Sequence, residues 1–470
     1  METRHEDAGP ARMISRRGFL ATTAAALAAR ALPRASVVDG DAPSPHPVPS
    51  PAQLRWQREE LALFVHFGVN TFTDREWGDG REDPRIFDPT RLDARQWARA
   101  ARTAGFRAMV LTAKHHDGFC LWPTRTTTHS VAGSPWRAGK GDVVREFVDA
   151  CAAEGMRAGL YCSPWDRNHP AYGDSPRYDD VFTAQLRELL SSYGRIHEVW
   201  FDGANGEGPT GRRQVYDWAR YWALVRRLQP DAVIFSDAGP DVRWIGNERG
   251  VAGATNWSTM NPAAVPYPGA PGDDVIRALQ EGDPRGTVWR PGETDVSIRP
   301  GWFHHPAEDA RVKSVDELVE IFFTSVGRNS KLLLNVPPTR EGVFHDTDVE
   351  RLTGMHERLA ALFRDDLARG AKSAWRATGK RSAVAELDLG RTVSVRIADL
   401  REEIAHGQAV ARYSLEGSDG GAWRLLARGT TIGYRRLERF EATPVRHVRL
   451  TIEAAVRPPR PVRIGLYAGA

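Results

Sequence analysis

From about residue 55 to residue 365, short apolar runs of β type alternate with amphipathic stretches of helical period. That alternation narrows the fold more than any other feature. The strand candidates are residues 61–69, 107–113, 156–163, 197–201, 232–236 and 331–336, and the helix candidates include 94–104, 143–153, 180–192, 215–228 and 315–326. Strands that are apolar throughout are buried on both faces, and repeated strand–helix alternation demands parallel pairing with helical crossovers. A doubly wound sheet and a (β/α) TIM-like barrel both satisfy this. Polar motifs follow several different strands, which favours the barrel, whose pocket is assembled from many βα loops. The interval 250–300 is rich in Gly and Pro with little helical periodicity, so the regular alternation is expected to break there. Beyond about residue 370 short alternating segments (392–397, 410–415, 423–427 and 446–452) are punctuated by Gly, Asp and Pro, the pattern of an antiparallel β-sandwich reached through a helix over 346–363.

The 470 residues are too many for one average domain. The expected division is a signal over 1–36, a flexible Pro/Ser/Asp-rich linker over 37–54, the barrel over 55–368 and the sandwich over 369–470. The block Ser15-Arg16-Arg17-Gly18-Phe19-Leu20 followed by an Ala/Leu run matches a twin-arginine export signal, which implies passage through that machinery to the periplasm or beyond. No other stretch approaches the ~20 apolar residues of a membrane span. The formal charge of +4 owes much to six Arg in the first 36 residues, opposed by Glu2, Glu6 and Asp7. The remainder is close to neutral and has no basic run, so a nucleic-acid partner is not expected. Three Cys (Cys120, Cys151 and Cys162) cannot all pair and fit no zinc spacing.

Several motifs end predicted strands. The first strand runs into His66-Phe67-Gly68, with Glu76-Trp77-Gly78 in the following loop. The second ends in Lys114-His115-His116-Asp117-Gly118-Phe119, the third in Tyr161, and the fourth in Trp200-Phe201-Asp202-Gly203. After the fifth comes Arg243-Trp244-Ile245-Gly246-Asn247-Glu248. The dinucleotide, P-loop and G-x-S-x-G motifs are absent, so those chemistries lack their signatures. His66, His115, His116 and Asp117 could supply metal ligands, but consecutive residues of a strand face opposite sides, so His115 and His116 could share a metal only if the strand has already ended. Paired carboxylates amid His, Trp and Tyr around a polyol are the construction of a glycosidase, which calls for no metal and no cofactor.

The His-Phe-Gly, Glu-Trp, Lys-His-His-Asp-Gly-Phe (with Trp122-Pro123-Thr124) and Trp-Phe-Asp-Gly blocks, in this order over about residues 55–365, resemble the α-L-fucosidases of glycoside hydrolase family 29. The C-terminal Trp423 and Gly429-Thr430-Thr431-Ile432-Gly433-Tyr434 resemble that family's β-sandwich. The resemblance implies a retaining exo-enzyme acting on a fucosylated glycan, with Asp202 as nucleophile. Gly246-Asn247-Glu248 resembles the block that carries the acid/base in the branch acting on α1,3/α1,4-linked fucose, making Glu248 the acid/base. Glu293, in Glu293-Thr294-Asp295-Val296-Ser297-Ile298-Arg299-Pro300-Gly301-Trp302, is the competitor. His66, Glu76, Trp77, His115 and His116 match hydroxyl-binding positions, and Tyr161, Trp200 and Trp302 match positions lining the pocket. Arg243 is expected to reach the nucleophile or the substrate. Two alternatives stay open at this point, an exo-glycosidase for a related sugar such as α-L-galactose and a secreted carbohydrate-binding protein on a glycosidase barrel.

Overall fold

The computed structural model describes residues 46–469; the segment read as an export signal, 1–36, and the first part of the linker lie outside them. Eight strands form one parallel sheet: β1 (Leu61–Val65), β2 (Ala108–Lys114), β3 (Arg157–Cys162), β4 (Glu198–Trp200), β5 (Val233–Phe235), β6 (Arg243–Trp244), β7 (Gly292–Ser297) and β8 (Ser330–Asn335). Their order is β5-β4-β3-β2-β1-β8-β7-β6, and a single Phe235–Val242 bridge brings the two ends together in a nearly closed barrel. The expected α/β barrel is therefore the observed architecture.

Period-two alternation divides each strand between two cores. Ala62 and Phe64 of β1 join Ala108 and Val110 of β2, Tyr161, Trp200, Phe235 and Leu333 in a cluster inside the barrel. Their neighbours Leu63, Val65, Met109 and Leu111 face outward into the larger core beneath the helices. Helix α3 (Ala94–Thr103) shows how that outer core is covered: Ala94, Trp97, Ala98 and Ala101 recur at helical spacing and are buried, and the Asp93 side chain caps the N-terminus by accepting from the Gln96 amide.

The linker expected to reach residue 54 gives way earlier to helix α1 (Pro51–Arg58). Its start is fixed by a Ser50–Gln53 capping box with Pro at the first turn. This helix sends Trp56 into the barrel cluster, where its indole donates to Glu198 at 2.9 Å. Several predicted boundaries shift as well. The first strand stops at Val65, because residues 69–73 turn into a short helix, α2 (Val69–Thr73), and helix α5 (Ser175–Ser192) begins five residues before its expected start. The 250–300 interval does break the alternation, with a two-residue antiparallel pair (Thr259–Met260 with Val288–Trp289) and helix α7 (Asp273–Glu281), but it also contains β7.

Beyond helix α9 (Asp346–Leu362), six antiparallel strands, Lys372–Gly379, Ser382–Arg401, Val410–Ser418, Arg424–Gly429, Arg436–Ala455 and Arg463–Tyr467, enclose a separate apolar core. Two of them are 20 residues long with register shifts, so each serves both ends of the sandwich. The sandwich is tied to the barrel by Arg401 and Arg435, which meet Glu60 at 3.0 and 2.6 Å. Gly433 takes a left-handed φ of 66° against Asn329, where a Cβ would lie 2.2 Å from the carboxamide carbon.

At the N-terminal end of the barrel the Lys331 ammonium sits 2.9 Å from Glu59 and 3.6 Å from Glu198, all three buried. Burial alone would push the Glu59 carboxyl up, but Lys331 and His197 beside it prevail and hold it at about 2. Because that value lies below the ordinary 4.5, the stabilisation is present above the ordinary value and lost as pH falls towards about 2. Lys331→Met should lower unfolding free energy by about 3–5 kcal/mol, because it strands buried carboxylates; urea denaturation at pH 7 measures this, and a loss under about 1 kcal/mol would show that the ammonium is not needed. The same titration repeated below pH 4.5 should show the wild type losing stability more steeply than Glu59→Gln.

Candidate active site

At the C-terminal end of the barrel a cavity of about 420 Å³ is lined by Phe64, His66, Glu76, Trp77, His115, His116, Tyr161, Trp200, Asp202, Glu248, Asp295, Pro300 and Trp302. Ten of the eleven residues singled out from the sequence thus meet in one place, as expected where successive strands end.

The fourth strand delivers Asp202 to the rim. Tyr161 donates its hydroxyl to Asp202 Oδ2 at 3.0 Å, the Ala204 amide donates to Oδ1 at 2.7 Å, and His116 Nε2 lies 3.7 Å from Oδ2. The glycine after it is a steric requirement: a Cβ on Gly203 would lie 2.5 Å from both Asp237 Oδ2 and the Gly269 nitrogen. Beneath the nucleophile candidate, Trp200 stacks on Phe235 with centroids 3.9 Å apart and donates its indole N–H to Glu293 at 3.1 Å.

The three histidines are uncharged hydrogen-bonding groups. Burial, together with the neighbouring His116, lowers His66 to about 3, although its contact with Asn335 opposes this. Burial also lowers His115 and His116. The Asn335 amide nitrogen is occupied by Ser297 Oγ and the Trp302 carbonyl, so its oxygen receives the His66 Nδ1 proton at 2.9 Å. By the same logic Ser163 donates to the Trp165 carbonyl and accepts from His116 Nδ1 at 2.7 Å. Both rings are thereby left with an Nε2 lone pair. The second strand ends at Lys114, so the constraint of opposite faces does not apply, and the His115 and His116 rings lie side by side with centroids 4.1 Å apart. Among the described residues, no three His, Cys, Asp or Glu gather as a metal cage.

Glu248 stands at the mouth as an exposed residue whose carboxyl is partly shielded, and it accepts from the Trp302 indole at 3.3 Å. Burial raises its pKa, and the charges of Asp202 and Glu76 add to the shift against the Trp302 bond. Glu76 accepts the Trp302 amide at 2.5 Å and His305 Nε2 at 3.0 Å, fixing the loop that carries Trp302. Trp77 is 56% exposed at the entrance, edge-on to His116.

One expectation needs correction, and the competitor for the acid/base role is set aside. Arg243 does not reach the pocket. Its guanidinium is wholly buried on the other side of β6, where it donates to the carbonyls of Leu279 and Arg290 and to Asn256 Oδ1. Glu293 is likewise shut inside the barrel, fully buried under Trp200. Burial and the adjacent Glu198 push its carboxyl well above the usual range. Arg299 is not its counter-ion, since it pairs with Asp348 at 2.9 Å and Asp309 at 2.7 Å. The sequence reading missed Asp295, buried and facing the cavity from β7. The signal was present: Asp295 follows Glu293 by two residues, so the two share a strand face.

A second cavity of about 850 Å³ adjoins the first and shares Trp200, Asp202, Glu248 and Asp295 with it. Tyr216, Trp218, Trp244, Tyr267, Arg213 and Asp237 complete much of its wall.

The α-L-fucosidase family model matches residues 52–361. α-L-Fucosidase 1 of Arabidopsis thaliana is 42% identical over 450 residues, covering 90% of this chain and 87% of the plant protein. Among solved structures, a glycoside hydrolase 29 family member from an unknown rumen bacterium is 41% identical with a TM-score of 0.83, over 90% of this chain and 78% of that one. A glycoside hydrolase 29 fucosidase of Ruminococcus gnavus in complex with fucose is 31% identical with a TM-score of 0.81, over 92% and 97%. Barrel, converging strand-end motifs and these likenesses agree: the chain belongs to the α-L-fucosidase family of glycoside hydrolases.

Proposed function

We propose that the protein removes terminal α-L-fucose from α1,3- or α1,4-linked positions of oligosaccharides or glycoconjugates by a retaining double displacement. The observation that carries this reading is the pair of carboxyls on one cavity in contrasting surroundings. Asp202 receives hydrogen bonds from Tyr161 and Ala204, the setting a carboxylate nucleophile requires. Glu248 stands at the mouth, where partial desolvation of its carboxyl and the charges of Asp202 and Glu76 raise its pKa, as a proton donor requires. In the first step Asp202 attacks the anomeric carbon while Glu248 gives its proton to the departing oxygen. In the second, Glu248 takes a proton from water, which displaces Asp202 with net retention.

The His66 and His116 lone pairs accept from sugar hydroxyls, His115 and Glu76 add further polar contacts, and the indoles of Trp77, Trp200 and Trp302 supply apolar faces suited to a 6-deoxy sugar. The fucose held by the Ruminococcus relative supports the choice of sugar. Support for a branched leaving group comes from the Gly-Asn-Glu block and from the adjoining cavity, about twice as large as the inner one.

Export belongs to the same reading. The twin-arginine block supports it. Replacing Arg16 and Arg17 together by Lys should retain the chain, with its leader uncleaved, in the cytoplasm of its host; unchanged export on cell fractionation would refute the assignment.

Catalysis is tested with an aryl α-L-fucoside and a Lewis-type trisaccharide. Asp202→Ala should lose at least about 10³-fold on both substrates. Glu248→Ala should retain more activity on the aryl fucoside, whose leaving group needs little protonation. Azide should rescue Glu248→Ala with α-L-fucosyl azide as product and Asp202→Ala with the inverted β-L-fucosyl azide. Equal loss on both substrates by Glu248→Ala, without azide rescue, would remove Glu248 from the acid role.

A further inference from the structure

Strand β7 carries three polar side chains on its inward face, and each meets a different partner. Glu293 lies deepest and accepts from Trp200. Ser297 lies nearest the mouth and accepts from Asn335. Asp295 sits between them at the junction of the two cavities and accepts the Trp244 indole N–H at 2.8 Å. Trp244 lines only the larger cavity, whereas Asp295 lines both. No cation pairs with Asp295 among the described residues, although Asp202 and Glu248 face the same space.

We propose that Asp295 is a positioning residue for the leaving group: it holds the Trp244 indole as the wall that receives the sugar next to fucose, and so sets the preference for an oligosaccharide over a simple aryl fucoside. The inference rests on the reading of the site given above and deepens it.

Trp244 occupies a two-residue strand, β6, joined to the sheet through β7 alone apart from the Phe235–Val242 bridge beside it. So short a strand leaves the indole to be held by its apolar packing against Val242 and the residues around Leu279 and by its one polar bond. The indole has one polar atom, a donor, and Asp295 is its acceptor. The bond thus fixes the ring plane at the boundary of the larger cavity, where a pyranose face can stack on it. An acceptor oxygen is needed at residue 295, and a charge is not. Burial, reinforced by Glu248 and Asp202, moves the Asp295 carboxyl well above its usual range, in keeping with an uncharged group. A carboxamide should therefore replace it.

The test is the ratio of kcat/KM for the Lewis-type trisaccharide to kcat/KM for an aryl α-L-fucoside. It is measured for wild type, Asp295→Asn, Asp295→Ala, Trp244→Phe and the Asp295→Ala/Trp244→Phe double variant. Asp295→Ala and Trp244→Phe should each lower the ratio about tenfold, the size of one buried hydrogen bond lost, mainly through KM for the trisaccharide. The double variant should fall no further than the worse single variant, since both remove the same bond. Asp295→Asn should keep the ratio within about threefold of wild type. The proposal is overturned if active single variants keep the wild-type ratio, if the two losses multiply, or if Asp295→Asn falls as far as Asp295→Ala. Trp244→Phe and Asp295→Asn carry the decision should Asp295→Ala not fold. A wild type inert towards the aryl fucoside would instead defeat the reading of the site itself, a distinct result.

Discussion

A carboxyl group can sit inside a barrel only if something takes up its hydrogen-bonding capacity, and in this protein that partner is repeatedly an indole. From the N-terminal end to the mouth, Trp56 donates to Glu198, Trp200 to Glu293, Trp244 to Asp295 and Trp302 to Glu248. An indole suits the task because it is a donor only and brings a large apolar body that fills the barrel. An unpartnered buried carboxyl would cost more than the fold could readily offset. Of the two deepest carboxyls, Glu198 also lies 3.6 Å from the Lys331 ammonium, and burial beside Glu198 pushes Glu293 well above the usual range. The three deeper pairs form the floor on which Asp202 and Glu248 stand.

The indole column also explains what could be read from the sequence. Six barrel strands are visible as apolar runs, because both of their faces are buried in apolar surroundings. Strand β7 is not visible. Its sequence Gly-Glu-Thr-Asp-Val-Ser turns acids and a hydroxyl inward, where Trp200, Trp244 and Asn335 satisfy them. A strand whose inner face is polar by design carries no hydrophobic period, and β6, at two residues, is too short to have one. The strand-end motifs were legible because each places a distinctive side chain beside the point where a strand stops. Even the puzzle of two consecutive histidines resolves there, since β2 ends one residue before His115.

Arg243 was misread for a physical reason. Proximity in sequence to a strand end does not tell which side of a strand a residue faces when the strand's limits are unknown. Arg243 precedes Trp244 and so points the other way, into a junction where Asn256 joins it to the backbone at Arg328 and to Thr431 of the sandwich. The sandwich thus braces the irregular 250–290 excursion, and through Arg243 it braces the strand that leads to Trp244 and Glu248. That long-range support has no local sequence signature.

The central claim is that a carboxylate on the fourth strand forms a covalent bond to the sugar, and trapping that bond tests it most directly. A 2-deoxy-2-fluoro-fucosyl fluoride slows release of the glycosyl-enzyme, so mass spectrometry of the digested protein can locate the adduct. The account predicts one fucosyl label per chain, on the peptide containing Asp202. A label on Glu248 or Asp295, or turnover with no covalent species and an inverted first product, would contradict it.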